Sequence, residues 1–542
     1  MAQYKIGLDF GTTNSIISHI EDGKPVAFQY GGEQGYKYIP SFIAYEDDFI
    51  EIGQAARTTA ANHPESKSYG NFKMDLPLTE NFANTYPLPH TPTSVTADYL
   101  RELLLSPENE YSFTRQQGEI AGLVVSVPEI WQRDICNTGR ENLQTLIAEN
   151  LGLEKQLIQL VSEPVAAAAY YAWETQRRHR EENREPFNGN LLVCDMGGGT
   201  FDVSLCRIYG ENKVEVLYFD GQGDRGLESA GVAFDRSCVI QAYTQKNGLP
   251  PDADSTEFMN LLREFESVKI AGHNKYTKKL KNYLNSPSEL ADQTLYSFSN
   301  GYTLTSGEVA RAFAPIAAGI TRVLERVTTW MDANGQKCDR LFLVGGFCQF
   351  HLVQKTILDA LNLGENDPTL ESQFNLINSA FAISYGACLI ANGLVQPSEI
   401  YIHTIGLVVH TINASTKLEE IFIPIIKGGT NLDDLASLRF ADIPPLEAFH
   451  DTPTVTLGVD PQSRGKLFKQ VLPDIVKLPK TATSEKWRVG MRVNRSQVAY
   501  LAIASEEGNK AIEYELGNII AKMFPGFVMI EEDLYQTNDN QK

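Results

Sequence analysis

One short pattern occurs twice in this chain and restricts its fold more than any other feature. Residues 5–17 read KIGLDFGTTNSII, and residues 191–203 read LLVCDMGGGTFDV. Each is an apolar run ending in an aspartate, then one residue, then glycine with hydroxyl side chains, then a second apolar run. Apolar residues on both sides of the glycines predict two strands joined by a tight loop. The spacing predicts strands over 4–9 and 14–20, and again over 191–195 and 201–208. A third glycine turn, at Gly345 and Gly346, follows a strand in DRLFLVGGFC.

Other phosphate-binding signatures are absent. No G-x-x-x-x-G-K-[ST] string occurs. A dinucleotide fold needs its glycines to enter a helix, whereas here they enter TFDVSLCRI, which alternates like a strand. A glycine hairpin presents bare backbone amides, which can approach an anion closely because glycine has no Cβ. Two facing hairpins would grip a polyphosphate from both sides. Asp9 and Asp195 would then repel it unless a cation intervened, and Mg²⁺, typically held by one or two carboxylates and phosphate oxygens, suits that place. Gly197, Gly198 and Gly199 taken alone also fit a plain tight turn. Two matched loops and a third at Gly345 favour a nucleotide site.

The chain has 542 residues, enough for two or more cores. Its formal charge of −21 argues against a general nucleic-acid or anionic-membrane binder. Seven scattered cysteines without a C-x-x-C pair argue against a disulfide framework and fit a reducing cytoplasm. The start MAQYKIGLDF lacks a signal-peptide pattern, and no 18-residue apolar span occurs. The expectation is a soluble cytoplasmic protein.

Helix-rich stretches follow each hairpin, at 139–153 and 307–335. Residues 1–395 therefore read as an α/β domain of two related lobes, about 1–188 and 189–395. QPSEIYIH (396–403) reads as a linker. Beyond it, over 404–530, strand-like runs alternate with Gly, Asn, Asp and Pro turns at the spacing of a β-sandwich. LYQTNDNQK reads as a frayed polar end.

Four segments, IGLDFGTTNS, LVCDMGGGTFDVS, VSEPVAAAAYY and LFLVGGF, resemble the nucleotide-binding domain of the seventy-kilodalton heat-shock (DnaK-type) chaperones. YIPSFIAY, IGQAA and ISYGACL are similar to further family segments, and the resemblance runs from about residue 4 to 395. It implies an actin-like, duplicated ribonuclease-H-like ATPase that binds ATP or ADP with Mg²⁺, the cation meeting Asp9 and Asp195 through water. It assigns phosphate contacts to Gly11, Thr12, Thr13, Asn14, Gly197, Gly198, Gly199 and Thr200, with Gly345 and Gly346 completing the pocket. Lys73 corresponds to the lysine that positions the attacking water, with Lys67 an alternative within the same loop. Glu163 corresponds to a glutamate near the magnesium shell, although an acid after Ser162 and before Pro164 is also an ordinary helix start. Glu266 and Lys269 match the adenosine-binding helix, and i, i+3 spacing also makes them an ordinary surface pair.

The chain departs from the family pattern in several places. His273 stands for a serine, Phe347 and Gln349 stand where a hydroxyl residue and an adenine-flanking arginine are common, and Ala380 stands for an aspartate. The switch proline is Pro128. Its arginine is Arg140 if a small insertion is allowed, whereas Cys136 takes the ungapped place. The residues after AIEYEL (517–542) are too few for the family's helical lid. The resemblance implies an ATP-hydrolysing chaperone that binds extended polypeptide, with a J-domain protein and a nucleotide exchange factor as possible partners. A sugar-kinase-type phosphotransferase and a nucleotide-dependent scaffold are the alternatives on the same fold.

Overall fold

The computed structural model describes residues 2–519 except 33–34, 47–48, 64–65, 78–85, 88, 134–138, 184, 211, 223–229, 254, 365–366, 368, 370–375, 413–417, 448–454, 464, 473–485, 496, 507–510 and 518. They form two compact units. One holds the described residues of 1–76, 82–130 and 146–397; the other holds those of 77–81, 131–145 and 398–542.

The first unit is mixed α/β and contains two larger sheets built alike. Strand β1 (Gln3–Phe10) turns back into β2 (Asn14–Glu21), which pairs with β3 (Lys24–Ala27) and with the two-residue β4 (Ile39–Pro40). The connection from β4 continues into β5 (Phe42–Glu46), the centre of a small sheet with β6 (Phe49–Ile52) and β7 (Lys67–Gly70). On its other side β1 pairs in parallel with β8 (Glu119–Val127), which in turn pairs in parallel with β9 (Ile158–Ser162). The second sheet repeats the arrangement. Its hairpin is β10 (Gly189–Met196) and β11 (Phe201–Tyr209), extended by β12 (Lys213–Gln222). A separate two-stranded sheet joins β13 (Thr294–Phe298) to β14 (Tyr302–Thr305). Parallel to β10 runs β15 (Arg340–Val344), and β16 (Gln396–Ser398) adds to the far edge beside β12.

The register puts the two aspartates in equivalent places. Asp9 is opposite Ser126 on its parallel neighbour, and Asp195 is opposite Val344 on its own. Both strands read as near-continuous apolar runs up to the acid because both faces are covered, as parallel pairing requires. The predicted strands are present with ends shifted by one or two residues. The stretch 396–403 differs from the plain linker expected of it: it contains β16 and the short strand Ile400–Tyr401, which pairs with Thr430–Asn431.

Helices cover the sheets at short range. The helix Glu163–Glu182 buries its first twelve residues, EPVAAAAYYAWE. Ser162 stands at its start with extended backbone, but its hydroxyl makes no capping bond. The helix Leu376–Ala391 crosses β1 and the Glu163–Glu182 helix almost backbone to backbone. A Cβ built on Gly7 would lie 2.1 Å from Cys388 N, and one on Gly386 would lie 1.7 Å from Ala166 O.

In the second unit, the strands Leu418–Ile426, Thr404–Ile412, Val455–Asp460 and Phe468–Leu472 form one sheet in that order. Arg439–Phe440, Lys486–Val493, Ala499–Ser505 and Ala511–Gly517 form another, with Leu446–Glu447 pairing onto Lys486–Val493. Ile405, Leu407 and Val459 from the first share one core with Trp487, Met491 and Leu501 from the second. Among the described residues no helix is long and apolar enough to cross a membrane.

The Gly386 crossing generates a stability prediction. In an uncrowded helix, Gly→Ala stabilises by about 1 kcal/mol. Here the added methyl meets a carbonyl, so Gly386→Ala should destabilise by about 1–3 kcal/mol, as overpacking does. Urea denaturation of the full chain would show the first unfolding midpoint falling rather than rising.

Candidate functional site

The two glycine loops meet each other. A Cβ on Gly198 would lie 2.6 Å from Thr13 Cγ2, and one on Gly199 would lie 2.6 Å from Thr12 Oγ1 and 3.0 Å from Met74 Sδ. None of Gly197, Gly198 and Gly199 has a positive φ. At Gly198 and Gly199 the reason for glycine is therefore close approach between loops, not a left-handed turn. Gly11 is excluded from bearing a side chain by its own loop, since a Cβ would sit 2.3 Å from Asn14 O. The Asn14 side-chain amide Nδ2 donates to Thr13 Oγ1 at 3.4 Å. Gly345 does need glycine for its backbone: its φ is +84°, and a Cβ there would lie 2.4 Å from Asp195 Oδ1. Gly346 beside it is open to solvent.

Carboxylates collect where the loops meet. Asp195 pairs in register with Asp202 across β10 and β11, and both are buried. Thr200 Oγ1 donates to Asp202 Oδ2 at 2.5 Å, and the Ile130 N–H donates to Asp202 Oδ1 at 3.2 Å. Asp9 accepts from Ser126 Oγ at 3.0 Å. Lys73 sits on a short 3-10 turn, Phe72–Asp75, entered through the left-handed Asn71. It is 1% exposed, and its Nζ lies 2.5 Å from Glu163 Oε1.

This geometry sets the proton affinities. Removal from water and the nearby Glu163 charge push Asp9 up to about 7, against the opposing pull of Lys73. Asp202 is pushed up to about 7 for the same two reasons, with the Thr200 hydroxyl opposing. Asp195 is raised well above its ordinary value by burial, then by Glu163, Asp202 and Asp9. Acids that resist ionising together are the donor set a hard cation would relieve. Among the described residues, no three His, Cys, Asp or Glu side chains converge tightly enough to ligate a metal directly. These carboxylates fit a cation that keeps its water.

A second cluster surrounds the residues assigned to adenosine. Glu266 Oε2 lies 3.6 Å from Arg57 Nη2. Lys269 is committed to Asp235, its Nζ 2.6 and 2.7 Å from the two carboxylate oxygens and 5.3 Å above the Phe347 ring. Phe347 is buried and stacks on Phe350 at 5.3 Å, beside Phe234. It has joined the core of its sheet, so no hydroxyl residue stands there, and the arginine's place is taken by Gln349. His273, Gln349 and Ala380 are all half-buried, and His273 begins the helix His273–Asn285.

Of the two lysine candidates, Lys73 is the one the fold brings to the acids, whereas Lys67 is exposed on β7. Pro128 is buried at the end of β8. In the second unit Arg140 is buried, with its Nη1 3.9 Å from Glu399 Oε2. Cys136 and the polar end 534–542 lie outside the described residues. Sequence reasoning overlooked Asp202 and Ser126. The T-x-D spacing at the entry to β11 carried a signal for Asp202, since a hydroxyl two residues before an acid is within reach of its carboxylate. Ser126 reaches Asp9 only through parallel pairing across 117 residues, which leaves no local trace.

Comparison with known proteins identifies the family of the chain. The model of the Hsp70 protein family matches residues 5–74 and 82–410. The chain belongs to that family. It is 27% identical over 286 residues to a "Chaperone protein HscA homolog" of Shewanella baltica (strain OS155 / ATCC BAA-1091), covering 49% of this chain and 41% of the relative. It is 24% identical over 380 residues to a "Chaperone protein DnaK" of Carsonella ruddii (strain PV), covering 65% of this chain and 58% of that one. With a "Chaperone protein dnaK" of Cyanidioschyzon merolae (strain NIES-3377 / 10D) it shares 24% over 508 residues, 84% of this chain and 77% of the relative. The match thus spans about two fifths of the HscA homolog and under two thirds of the Carsonella protein.

The Asp235–Lys269 pair yields a pH prediction. Burial pushes Asp235 up to about 6 from 3.8, although Lys269 opposes the rise. Between about pH 4 and 6 the folded state therefore holds more protons than the unfolded state, and this group's contribution to stability falls as pH rises through that window. Lys269→Met removes the opposing charge and extends the decline to higher pH. The variant should lose about 3–5 kcal/mol where Asp235 is ionised, with a larger loss at pH 8 than at pH 5. Equal losses at both pH values in urea denaturation would contradict the assignment.

Proposed function

We propose that the chain is an ATP-dependent molecular chaperone that couples ATP hydrolysis to binding of extended polypeptide. The observation that carries this reading is the buried Lys73–Glu163 pair set among Asp9, Asp195 and Asp202, where two glycine loops meet. In this reading residues 1–395 are a nucleotide-binding domain of two actin-like lobes, about 1–188 and 189–395. Residues 396–403 link it to a β-sandwich, 404–530, that binds substrate. The names of the relatives, chaperones of the DnaK and HscA type, support the same role.

The phosphates lie against the amides of Gly11, Thr12, Thr13 and Asn14 on one side and of Gly197, Gly198, Gly199 and Thr200 on the other. Asp9 and Asp195 are the residues that would hold Mg²⁺, which would neutralise phosphate charge when bound. Lys73, fixed by Glu163, orients the attacking water beside the terminal phosphate and carries charge that complements the transition state. Thr200, anchored to Asp202, holds the second loop in place. Glu266, Lys269, His273, Gly345 and Gly346 border the nucleoside, and Lys269 contributes through its pair with Asp235. Catalysis here is positioning and charge, so a slow, conformationally coupled turnover is expected.

Extended chains bind β-scaffolds through main-chain hydrogen bonds and a few apolar pockets, which gives broad specificity. A J-domain protein and a nucleotide exchange factor are the partners this cycle would use, in the cytoplasm. Neither nucleic acid nor a membrane is required.

ATP turnover by the full chain, measured with and without an unfolded peptide, tests the proposal. Stimulation by peptide supports it, whereas tight ATP binding without measurable hydrolysis or peptide binding would favour a scaffold. Lys73→Ala should slow single-turnover hydrolysis by about 10²-fold while changing ATP affinity far less. Lys67→Ala, at an exposed position of β7, should leave both unchanged. Reversal of the two results would move the catalytic role to Lys67.

A further inference from the structure

Behind the first glycine loop stands a serine that the proposed chemistry leaves unused. Ser41 follows β4 and is 3% exposed. Its N–H donates to Thr13 O at 2.9 Å, and its hydroxyl donates to Gly11 O at 2.7 Å. A serine hydroxyl has one hydrogen to give, so the 3.0 Å contact between the Ser15 and Ser41 hydroxyls is donated by Ser15. Ser15 is fully buried on β2, where it pairs in register with Ile39.

These bonds fix orientation as well as position. In a planar trans peptide, the carbonyl and the next residue's N–H point opposite ways. Holding the Gly11 and Thr13 carbonyls toward Ser41 therefore turns the N–H groups of Thr12 and Asn14 away from it.

Ser41 also joins two sheets. The residue before it belongs to β4, paired with β2, and the residue after it begins β5, paired with β7. The first pair on the β5 side is Phe42 with Gly70, and a Cβ on Gly70 would lie 2.9 Å from the Phe42 ring. Three residues beyond Gly70 comes Lys73. The loop with its amides and the turn with its lysine thus share one anchoring point.

We infer that Ser41 is a positioning residue. It aims the phosphate-facing amides of the first loop and holds them in register with Lys73. The inference rests on the nucleotide reading given above. A buried serine that only satisfied two carbonyls would stabilise the fold without distinguishing one ligand from another. A positioning serine has a narrower effect, confined to ligands that carry phosphate.

The test compares ATP, ADP and adenosine binding, and single-turnover hydrolysis, for the full-length wild type, Ser41→Ala, Ser41→Thr and Ser15→Ala. Loss of one buried hydrogen bond that orients the loop should weaken ATP and ADP binding by about tenfold. Hydrolysis at saturating ATP should slow by a similar factor, with adenosine affinity within about twofold of wild type. Ser41→Thr, which keeps the hydroxyl, should recover most of the loss. Ser15→Ala should weaken ATP binding in the same phosphate-dependent way but less, and it decides the matter if Ser41→Ala does not fold. Equal weakening of adenosine and ATP, or no change in either, overturns the positioning role. If the wild type binds ATP and only this pattern fails, the clamp alone is wrong; a wild type that binds no ATP removes the nucleotide reading and the clamp with it.

Discussion

Asp9, Asp195 and Asp202 share a site with Glu163, and among the described residues the cation that offsets them is Lys73, helped by hydrogen bonds from Ser126, Thr200 and the Ile130 N–H. In a medium of low effective dielectric such a set is unfavourable when fully ionised, and the surrounding structure can be understood as what holds it in place. Two parallel strand pairs bring Asp9 and Asp195 to matching ends. A third glycine turn, with φ of +84° at Gly345, presses its backbone against Asp195. Gly221 on β12 leaves room for Asp202, since a Cβ there would lie 2.9 Å from Asp202 Oδ1. Burying several acids together carries a desolvation cost that the rest of the fold must offset. Here the offset comes from the apolar core behind the strands, formed by Leu192, Cys194, Met196 and Val203 with the helices packed on them.

The same economy of space governs the loops. Glycine at 198 and 199 lets two backbones come together around threonine side chains. The first of these loops is held from behind, where Ser41 donates to the Gly11 and Thr13 carbonyls. The loop is therefore built in two layers. The inner layer is polar and conspicuous in the sequence, whereas the outer layer consists of small buried residues such as Ser15 and Ser41.

Those two layers explain how much could be read in advance. The hairpins around Gly11 and Gly197 were legible because alternation, glycine and acid fall within a dozen consecutive residues. Lys73 was legible only as one of two, since nothing local separates it from Lys67; burial against Glu163, 90 residues away, separates them. Phe347 was legible as a departure, but the aromatic core that absorbs it is assembled from Phe234, Phe313 and Phe350. The strands β16 and Ile400–Tyr401 lay hidden in QPSEIYIH because two- and three-residue strands carry no period. What escaped the sequence was whatever depends on a partner distant along the chain.

The crossing of Leu376–Ala391 over β1 and the Glu163–Glu182 helix has a consequence for how such a chain can diverge. Gly7 and Gly386 leave no clearance to Cys388 N and Ala166 O, and Val165 through Ala169 are wholly buried alongside. A larger residue at either glycine cannot be accommodated by rotating a side chain, because the obstruction is backbone. Drift at these sites must be concerted, with a helix moving before any one residue can grow, so effects of paired substitutions will not add. Surface sequence can wander while this seam stays locked, which makes it an epistatic barrier on an otherwise permissive scaffold.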